Sequence, residues 1–244
     1  MSSLPSLPVS GDVHVWHVSL DEVASEVIRL QPLLSPEERM RADRLREDRD
    51  RLRYVVAHGR LREILSGCTG IAARDLHFGR NRHGKPHLAE GTRRGDLRFS
   101  LSHSGDRALV AVTVGQPVGV DIERIVPDTD VLAIAERFFA MDELRLLRAL
   151  PLARRLEGFF QLWTCKEAYV KARGEGIIDR LSSFTVSVDS AGQATLVEDT
   201  RGPVAPAHWH LELLRCAPSF AAAVVSTNVH RGTVLHDWPD APEK

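Results

Sequence analysis

The chain has 244 residues, of which 43% are apolar and 27% are charged, and its formal net charge is −1. This composition excludes a disordered or collagen-like chain, and the length fits one large domain or two small ones. The nearly balanced charge argues against a general nucleic-acid-binding protein.

The first third of the chain contains a predicted strand and a predicted long helix. Polar and apolar residues alternate over Asp12–Ser19, which predicts a β-strand. The run Ser35-Pro36-Glu37-Glu38 fits a capping box with proline at the first helical position, so a helix should begin here. We expect this helix to continue to Leu65, because Gly67 and Gly70 follow the last residues with helical spacing.

Strands and helices are mixed in the rest of the sequence. Residues 99–114 read as two strands joined by a turn at residues 104–106. Further predicted elements are a strand at 117–123, helices from about 130 and over 154–173, and strands at 184–188, 208–214 and 220–226. Helices between strands favour an α+β fold over an all-α or all-β fold.

A weak internal repeat suggests that the fold has two similar halves. Residues 101–113 and 213–226 both read as a strand, a tight turn and a strand of small aliphatic residues. We therefore expect two α+β halves that meet near residue 118, with residues 1–117 in the first half and 118–244 in the second.

A basic stretch lies in the first predicted half. Between Arg39 and Arg62 there are nine arginines and four acidic residues, an excess of five positive charges. By itself the stretch favours a solvated helix face with pairs such as Glu47–Arg51. The alternative is a surface for a polyphosphate or an acidic partner, because guanidinium groups match phosphate and carboxylate geometry.

The sequence shows no clear targeting segment and no cysteine pattern of a disulfide framework or a zinc site. The first residues lack a basic segment and an apolar segment, and no apolar run approaches the ~20 residues that a membrane span needs. Three scattered cysteines, Cys68, Cys165 and Cys216, form neither a disulfide framework nor a zinc pattern. We expect a soluble cytoplasmic protein.

The strand at 117–123 carries two acidic residues that share a face. Asp121 and Glu123 are two positions apart, so they project together while Val120 and Ile122 pack on the opposite side. Two adjacent carboxylates without histidine or cysteine would select a hard ion such as Mg²⁺. An edge strand with two solvated acids is the commoner meaning of this pattern taken alone.

A second acidic residue pattern lies on the helix over 154–173. Glu167 lies between Trp163 and Val170 on the helical surface, beside apolar groups, and Lys171 is one turn further on. A carboxylate at such a position needs a metal ion or a hydrogen-bond donor. An ordinary ion pair between Glu167 and Lys171 is the alternative.

The segment Phe99–Ser104 places polar groups at a strand end. Ser102 and His103 do not form a hydrolase site by themselves, because the G-x-S-x-G pattern is absent. Hydroxyl, imidazole and backbone N–H groups at this position could instead hold a phosphate. A structural role for His103 is the alternative.

In order, the motifs H-G-K-P, F-S-L-S-H-S, G-V-D-I-E, R-F-F-A-M-D-E and W-T-C-K-E-A-Y-V-K-A-R-G-E-G resemble those of the 4′-phosphopantetheinyl transferases. The resemblance covers residues from about 35 to 184 and is greatest to the broad-specificity class that activates nonribosomal peptide and polyketide synthases. It implies an intramolecular pseudo-dimer of two α+β halves with the active site between them. It also implies transfer of phosphopantetheine from coenzyme A to a carrier-protein serine, with release of adenosine 3′,5′-bisphosphate.

The resemblance also assigns roles to individual residues. It implies that Asp121, Glu123 and Glu167 hold Mg²⁺, that Glu167 acts as base toward the carrier serine, and that Lys171 contacts phosphate. Glu143 matches a further acid near the metal; its position in a first helical turn, where the helix dipole favours acids, explains it equally well. Positions that match coenzyme A ligands are Arg41, Arg53, Lys85, Ser102 and His103, with His103 at the 3′-phosphate.

The sequence departs from the family pattern at Glu38, where a lysine is frequent. The implied partners are coenzyme A and acidic acyl or peptidyl carrier proteins, which the basic stretch would attract, and we expect a monomer. The alternatives are a catalytically silent binding module or another Mg²⁺-dependent phosphoryl transferase or hydrolase. The intact carboxylates argue against the first, and the missing P-loop and nucleophile elbow argue against the second.

Overall fold

The computed structural model describes residue 8 and residues 11–89, 96–175, 178–200, 205–227 and 232–238. Its α-helices are α1 Ala24–Leu30, α2 Pro36–Asp43, α3 Asp48–Thr69, α4 Val131–Phe138, α5 Met141–Ala149 and α6 Leu152–Arg173. Its strands are β1 Asp12–Ser19, β2 Phe78–Arg80, β3 Pro86–Leu88, β4 Leu97–Ser104, β5 Arg107–Val114, β6 Val118–Arg124, β7 Phe184–Val188, β8 Ala194–Asp199, β9 Trp209–Leu213, β10 Phe220–Thr227 and β11 Gly232–Asp237. Among the described residues no helix is both long and apolar enough to cross a bilayer.

Two sheets with the same internal order confirm the predicted α+β fold. The first has the order β11-β1-β5-β4 and the second the order β6-β10-β9. In the first sheet, β1 pairs antiparallel with β5, and β5 pairs antiparallel with β4. In the second sheet, β6 pairs antiparallel with β10, and β10 pairs antiparallel with β9. Each sheet is also accompanied by a 22-residue helix, α3 or α6, and by a separate hairpin, β2–β3 or β7–β8. The weak repeat in the sequence therefore corresponds to a repeat in topology.

The last strand crosses from the second half of the sequence to the first sheet. Strand β11 pairs in parallel with β1, from Asp12 opposite Gly232 to His17 opposite Asp237. The backbone N–H of Trp238 then donates to the carbonyl of His17 at 2.8 Å. The first sheet therefore contains strands from both sides of residue 118, because Gly232–Asp237 complete it, and the division of the chain at residue 118 stays a prediction.

The predicted helix from residue 35 to Leu65 is wrong in its continuity, because two helices occupy this segment. The start is as predicted: Ser35 caps α2, and Ser35 and Glu38 form both hydrogen bonds of a capping box. Helix α2 ends at Asp43, and α3 begins at Asp48 after an extended residue at Glu47. Two acids in the first turn of α3, Asp48 and Asp50, favour a new helix start through the helix dipole.

Three apolar clusters hold these layers together. One packs α3 under the first sheet, and a second packs α6 under the second sheet with α4 and α5. The third joins the two sheets and consists of Val13, Val15, Leu109, Ala111, Val118, Val120, Ile122, Leu214, Ala222 and Val224. Strand β6 places its apolar side chains in this third cluster, against β1 and β5, and it also lies against β4.

Candidate active site

The carboxylates of β6 lie against serines on β4. Because side chains alternate along a strand, Ser102 and Ser104 share the face of β4 that packs on β6. The Ser102 hydroxyl donates to Asp121 Oδ1 at 2.7 Å, and the Ser104 hydroxyl donates to Glu123 Oε2 at 2.8 Å. Asp121 is buried and Glu123 is half-buried. The structure therefore places both predicted acids in one polar layer between the halves.

Helix α6 packs so closely on β6 that glycine is required at position 119. A side chain at Gly119 would collide with the carbonyl oxygen of Ala168 and with the backbone of Ala172. The same turns of α6 carry Glu167 and Lys171, and the close approach brings them to the polar face of β6. The G-V-D-I-E motif thus supplies both the acids and the glycine that admits the helix.

Lys171 joins the helix to the polar layer. Its ammonium group lies 2.7 Å from Asp121 Oδ1 and donates to the Ser102 hydroxyl at 2.8 Å. The predicted alternative, an ion pair between Glu167 and Lys171, is not among the ion pairs of the described residues, where the partner of Lys171 is Asp121. Ser102 therefore orients Asp121 and Lys171 rather than standing alone as a phosphate ligand.

Two carboxylate oxygens in this layer are buried without a hydrogen bond. They are Asp121 Oδ2 and Glu167 Oε1, and neither has a donor among the described residues. A buried carboxylate oxygen without a donor is costly, so such atoms are expected where a cation or a substrate group completes the site.

The pKa of Glu167 is raised to about 7. The main cause is burial, and the charge of Asp121 adds to it, while Lys171 opposes the rise and Glu123 contributes a little. Burial and the neighbouring Asp121 also raise the pKa of Glu123. A carboxylate with a pKa near neutrality exchanges protons readily at physiological pH, which suits a general base.

The donor set of this layer fits a hard divalent ion. Asp121, Glu123 and Glu167 offer only oxygen atoms, which Mg²⁺ prefers, and two of those atoms have no other partner. Even so, no three acidic, histidine or cysteine side chains of the described residues are already arranged to ligate one ion. Lys171 and Ser104 hold oxygens of Asp121 and Glu123 instead.

Glu143 is bonded inside the second half of the molecule, and its predicted role in catalysis stays a prediction. Its carboxylate is fully buried and lies 2.6 and 2.7 Å from the ammonium group of Lys166. It also accepts from the backbone N–H groups of Val186 and Ala140. These donors use both oxygens of Glu143 to tie α5 to α6 and β7.

A groove runs from the carboxylate layer over the first half of the molecule. Its inner part has a volume of about 460 Å³ and its outer part about 530 Å³, sizes typical of ligand sites. The inner part is lined by Glu167 and Lys171 together with His103. Both parts share the lining residues Arg41, Tyr54, His58, Arg80, Pro86, Phe99 and Leu101.

The structure divides the basic stretch into paired and unpaired arginines. The arginines of α3 form ion pairs, namely Arg49, Arg51, Arg53, Arg60 and Arg62. Those of α2 and the following turn are exposed and form no ion pair with any residue that the structure describes; they are Arg39, Arg41, Arg44 and Arg46. Arg41 and Arg44 line the outer groove. The ion-paired helix face is therefore confirmed for α3, and a surface for a polyphosphate or an acidic partner stays a prediction for the remaining arginines.

Two predicted nucleotide ligands have other partners. Arg53 forms two hydrogen bonds with Asp21, at 2.7 and 3.0 Å, instead of facing the groove. The Lys85 ammonium group donates to backbone carbonyls, at 2.9 Å to Val118 and 2.6 Å to Lys171. Neither cation is available to a phosphate in this arrangement.

His103 lies at the groove, on the face of β4 opposite to Ser102. The residue is exposed, but surrounding protein atoms remove part of the hydration of its ring. This desolvation lowers the pKa of His103, and the nearby charges of His58 and Lys171 lower it further. An anion in the groove would oppose both effects and favour the imidazolium form.

Glu38, where the family often has lysine, is used inside the first half. It accepts from Arg62 Nε at 2.8 Å, and Arg62 is almost fully buried. Burial by itself would raise the pKa of Glu38, but the His58 ring at 3.5 Å and hydrogen bonds from Arg62 and the Ser35 backbone outweigh it and lower the pKa to about 2. The glutamate is thus a structural partner of a buried cation rather than a free charge in the groove.

We expect Glu38→Gln to lower the free energy of unfolding by about 3 kcal/mol, because it leaves Arg62 charged without a carboxylate partner. The pKa of Glu38 lies below its usual value of 4.5. This stabilisation is therefore present above about pH 4.5 and lost as the pH falls toward 2. Urea unfolding at pH 7 and pH 3 measures it, with the exposed neighbour variant Glu37→Gln as control. Equal stability of the two variants at pH 7 would contradict the assignment.

Sequence patterns did not indicate several of the residues that line the groove. Four residues that line the groove come from separate places, namely the end of α2, helix α3 and strand β2, and share no local pattern; they are Arg44, Tyr54, His58 and Arg80. Ser104, by contrast, had a usable signal: its two-residue spacing from Ser102 matches that of Asp121 and Glu123.

Two family models match the two halves of the chain. The model described as "4'-phosphopantetheinyl transferase, N-terminal" matches residues 16–115. The model described as "4'-phosphopantetheinyl transferase superfamily" matches residues 117–225.

Two individual transferases are similar to most of the chain, and a solved structure is similar to a little under half of it. The 4′-phosphopantetheinyl transferase HetI of a Nostoc species is 36% identical over 89% of this chain and 89% of its own. The 4′-phosphopantetheinyl transferase Sfp of Bacillus subtilis is 28% identical over 88% of this chain and 87% of its own. A crystal structure of a holo-(acyl-carrier-protein) synthase from Bacillus anthracis in complex with CoA is 27% identical, covering 46% of this chain and 94% of that one, with a TM-score of 0.37.

Proposed function

The chain belongs to the 4′-phosphopantetheinyl transferase superfamily, and we propose that it modifies carrier proteins in a Mg²⁺-dependent reaction. The enzyme transfers phosphopantetheine from coenzyme A to a carrier-protein serine; the second product is adenosine 3′,5′-bisphosphate. The observation that carries the metal-dependent part is the pair of buried, donor-free oxygens on Asp121 and Glu167, close to the Lys171 ammonium group. A silent binding module would have no use for such a cluster.

The carboxylates would hold the ion, which supplies charge neutralisation for a pyrophosphate when bound. Asp121, Glu123 and Glu167 are the proposed ligands, because they present oxygen atoms from one strand and one helix. Ser102 and Ser104 orient Asp121 and Glu123 through their hydroxyl groups. These serines hold the acids in place before the substrate arrives, so less reorganisation is needed during the reaction.

Glu167 is the proposed base. It takes the proton of the carrier serine, directly or through water. The serine oxygen then attacks the phosphorus bonded to the pantetheine oxygen. The phosphoanhydride bond breaks, and the nucleotide leaves with the negative charge on its phosphate. Lys171 lies close enough to the acids to offset charge on that leaving oxygen.

The groove is the proposed site for the nucleotide phosphates. Arg41 and Arg44 are exposed, lack an acidic partner among the described residues and line its outer part. His103 lines the inner part, near Lys171. In this division the first half, residues 1–117, supplies most coenzyme A contacts and the second half, residues 118–244, supplies the acids, the base and Lys171. Arg53 would have to break its hydrogen bonds to Asp21 before it could bind the nucleotide phosphates.

We further propose that the carrier substrates are acidic and that the enzyme acts as a monomer. The unpaired arginines would attract an acidic protein, an effect that salt weakens. Both copies of the repeat lie in one chain, so the cleft between the sheets needs no second subunit. Light scattering after size exclusion measures the association state.

One assay tests the proposed function. The protein is mixed with an apo carrier protein, coenzyme A and Mg²⁺, and the carrier is examined by mass spectrometry. We expect the mass increase of one phosphopantetheine, loss of the reaction with EDTA, and adenosine 3′,5′-bisphosphate in equal amount. Modification that persists at full rate after metal removal would overturn the metal-dependent part of the proposal.

We expect His103→Ala to weaken binding of coenzyme A about tenfold or more while changing dephospho-coenzyme A binding much less. The reason is that a charge-assisted hydrogen bond to the 3′-phosphate contributes about 1.5–3 kcal/mol. Calorimetric titration with the two ligands measures the difference. Equal losses for both would move His103 away from the 3′-phosphate.

A further inference from the structure

The β2–β3 hairpin of the first half reaches the end of α6 in the second half. Asn81 donates through its side-chain amide to the Gly174 carbonyl at 2.7 Å. Lys85 donates through its ammonium group to the Lys171 carbonyl at 2.6 Å and lies 3.4 Å from that of Ala172. Carbonyls in the last turn of a helix lack a full set of intrahelical donors, and a cation there is favoured by the helix dipole.

The same ammonium group also contacts the beginning of β6. It donates to the carbonyl of Val118, the first residue of β6, at 2.9 Å. Strand β6 carries Asp121 and Glu123, and α6 carries Glu167. One half-buried cation is therefore bonded to both elements that supply the proposed metal ligands.

We infer that Lys85 is a positioning residue that fixes α6 relative to β6 and thereby sets the spacing of the three carboxylates. This inference rests on the proposed function. It replaces the predicted role of Lys85 as a direct ligand of the coenzyme A phosphates, because its donor group is used by backbone carbonyls.

The hairpin is built to hold Lys85 in this place. Asn81 Oδ1 accepts from the backbone N–H groups of His83 and Lys85, both at 2.9 Å, and so closes the turn. Gly174 ends α6 with a φ of 66°, and a side chain there would press on Asn81 and Lys85. Burial, together with the nearby charge of Arg98, lowers the pKa of Lys85 to about 8, in keeping with its neutral carbonyl partners.

The geometry matters because phosphoryl transfer depends on placement. A misplacement of about 1 Å can reduce catalysis about a hundredfold. Without the ammonium group, the end of α6 and the start of β6 lose their common donor. The carboxylates would then be held less well in a shared arrangement, although Asp121 and Glu123 remain bonded to Ser102 and Ser104.

The test compares Lys85→Met with Arg82→Met, a control at an exposed arginine of the same turn. For Lys85→Met we expect kcat to fall at least tenfold, the KM for coenzyme A to change less than about twofold, and Mn²⁺ binding to the free protein to weaken, as seen by electron paramagnetic resonance. The control should match the wild type. A raised KM with unchanged kcat would overturn the inference and restore Lys85 as a phosphate ligand.

Circular dichroism shows whether Lys85→Met folds. If it does not, a second variant tests the inference. In Asn81→Ser, a hydroxyl can still close the turn but is too short to reach Gly174. We expect the same pattern, with a smaller loss of kcat. Unchanged kcat and Mn²⁺ binding in this variant would overturn the inference. A wild-type protein that fails to modify any carrier would instead count against the proposed function itself.

Discussion

Asp121→Asn is expected to reduce kcat/KM for carrier modification by at least about a thousandfold, because charge stabilisation at a metal-bound pyrophosphate is worth several kcal/mol. Asp121 is 2% exposed and receives hydrogen bonds from Ser102 and Lys171. Asparagine keeps the shape and one acceptor but removes the charge. The melting temperature should therefore change little while metal binding is lost.

The measurement combines steady-state kinetics at saturating Mg²⁺ with Mn²⁺ titration and thermal unfolding. Asp128→Asn is the matched control, since Asp128 is exposed just beyond β6. Near-normal turnover of Asp121→Asn at saturating metal would show that Asp121 is not a ligand. A large fall in melting temperature would show that its role is structural.

Glu167→Gln is the second variant with a large expected effect, a loss of about 10²–10⁴ in kcat from removal of the base. The amide cannot accept the serine proton, although its oxygen still reaches the same place. Because burial and Asp121 already disfavour a charge at position 167, the neutral amide should not destabilise the fold.

Glu157→Gln serves as control, because Glu157 is an exposed acid on the same helix. Single-turnover measurements with coenzyme A prebound separate the chemical step from binding. The assignment predicts that the chemical step slows while coenzyme A affinity stays within about threefold. A loss confined to coenzyme A affinity, with normal single-turnover rate, would exclude Glu167 as the base.

These two variants also separate the two roles given to the acidic layer. Ser102 and Lys171 bond Oδ1 of Asp121, and Oδ2 remains buried without a donor among the described residues, as suits a metal ligand. Glu167 has a buried oxygen without a donor among the described residues and a pKa of about 7. Weakened Mn²⁺ binding in both variants, with a greater effect in Asp121→Asn, would support this division.

Local periodicity determined much of the fold. Strands β1 and β4–β6, and helices α4 and α6, appear where alternation or helical spacing predicted them. The same two-residue period placed Asp121 and Glu123 on one face before any tertiary contact was known. The short elements α1, β2, β3 and β8 lacked a clear period, so sequence reasoning missed them, and α5 was missed with them.

Other features depended on contacts between distant segments. The partner of Lys85 is a set of carbonyls more than 30 residues away, and nothing near Lys85 in the sequence distinguishes carbonyls from a phosphate. Glu143 matched an active-site motif, yet packing of α5 against α6 buried it with Lys166. The addition of β11 to β1 likewise joins opposite ends of the chain.

The sequence by itself determined the α+β class, the family and the residue types of the site, because these follow from periodicity and motif order, and it only suggested the repeat. Only the tertiary structure decided which polar groups meet. Packing of β4 and α6 against β6 gave Asp121 its serine and its lysine, and left oxygens of Asp121 and Glu167 buried and ready for a cation. Burial and partner choice are set by how distant surfaces fit together, and local residue patterns do not encode that fit.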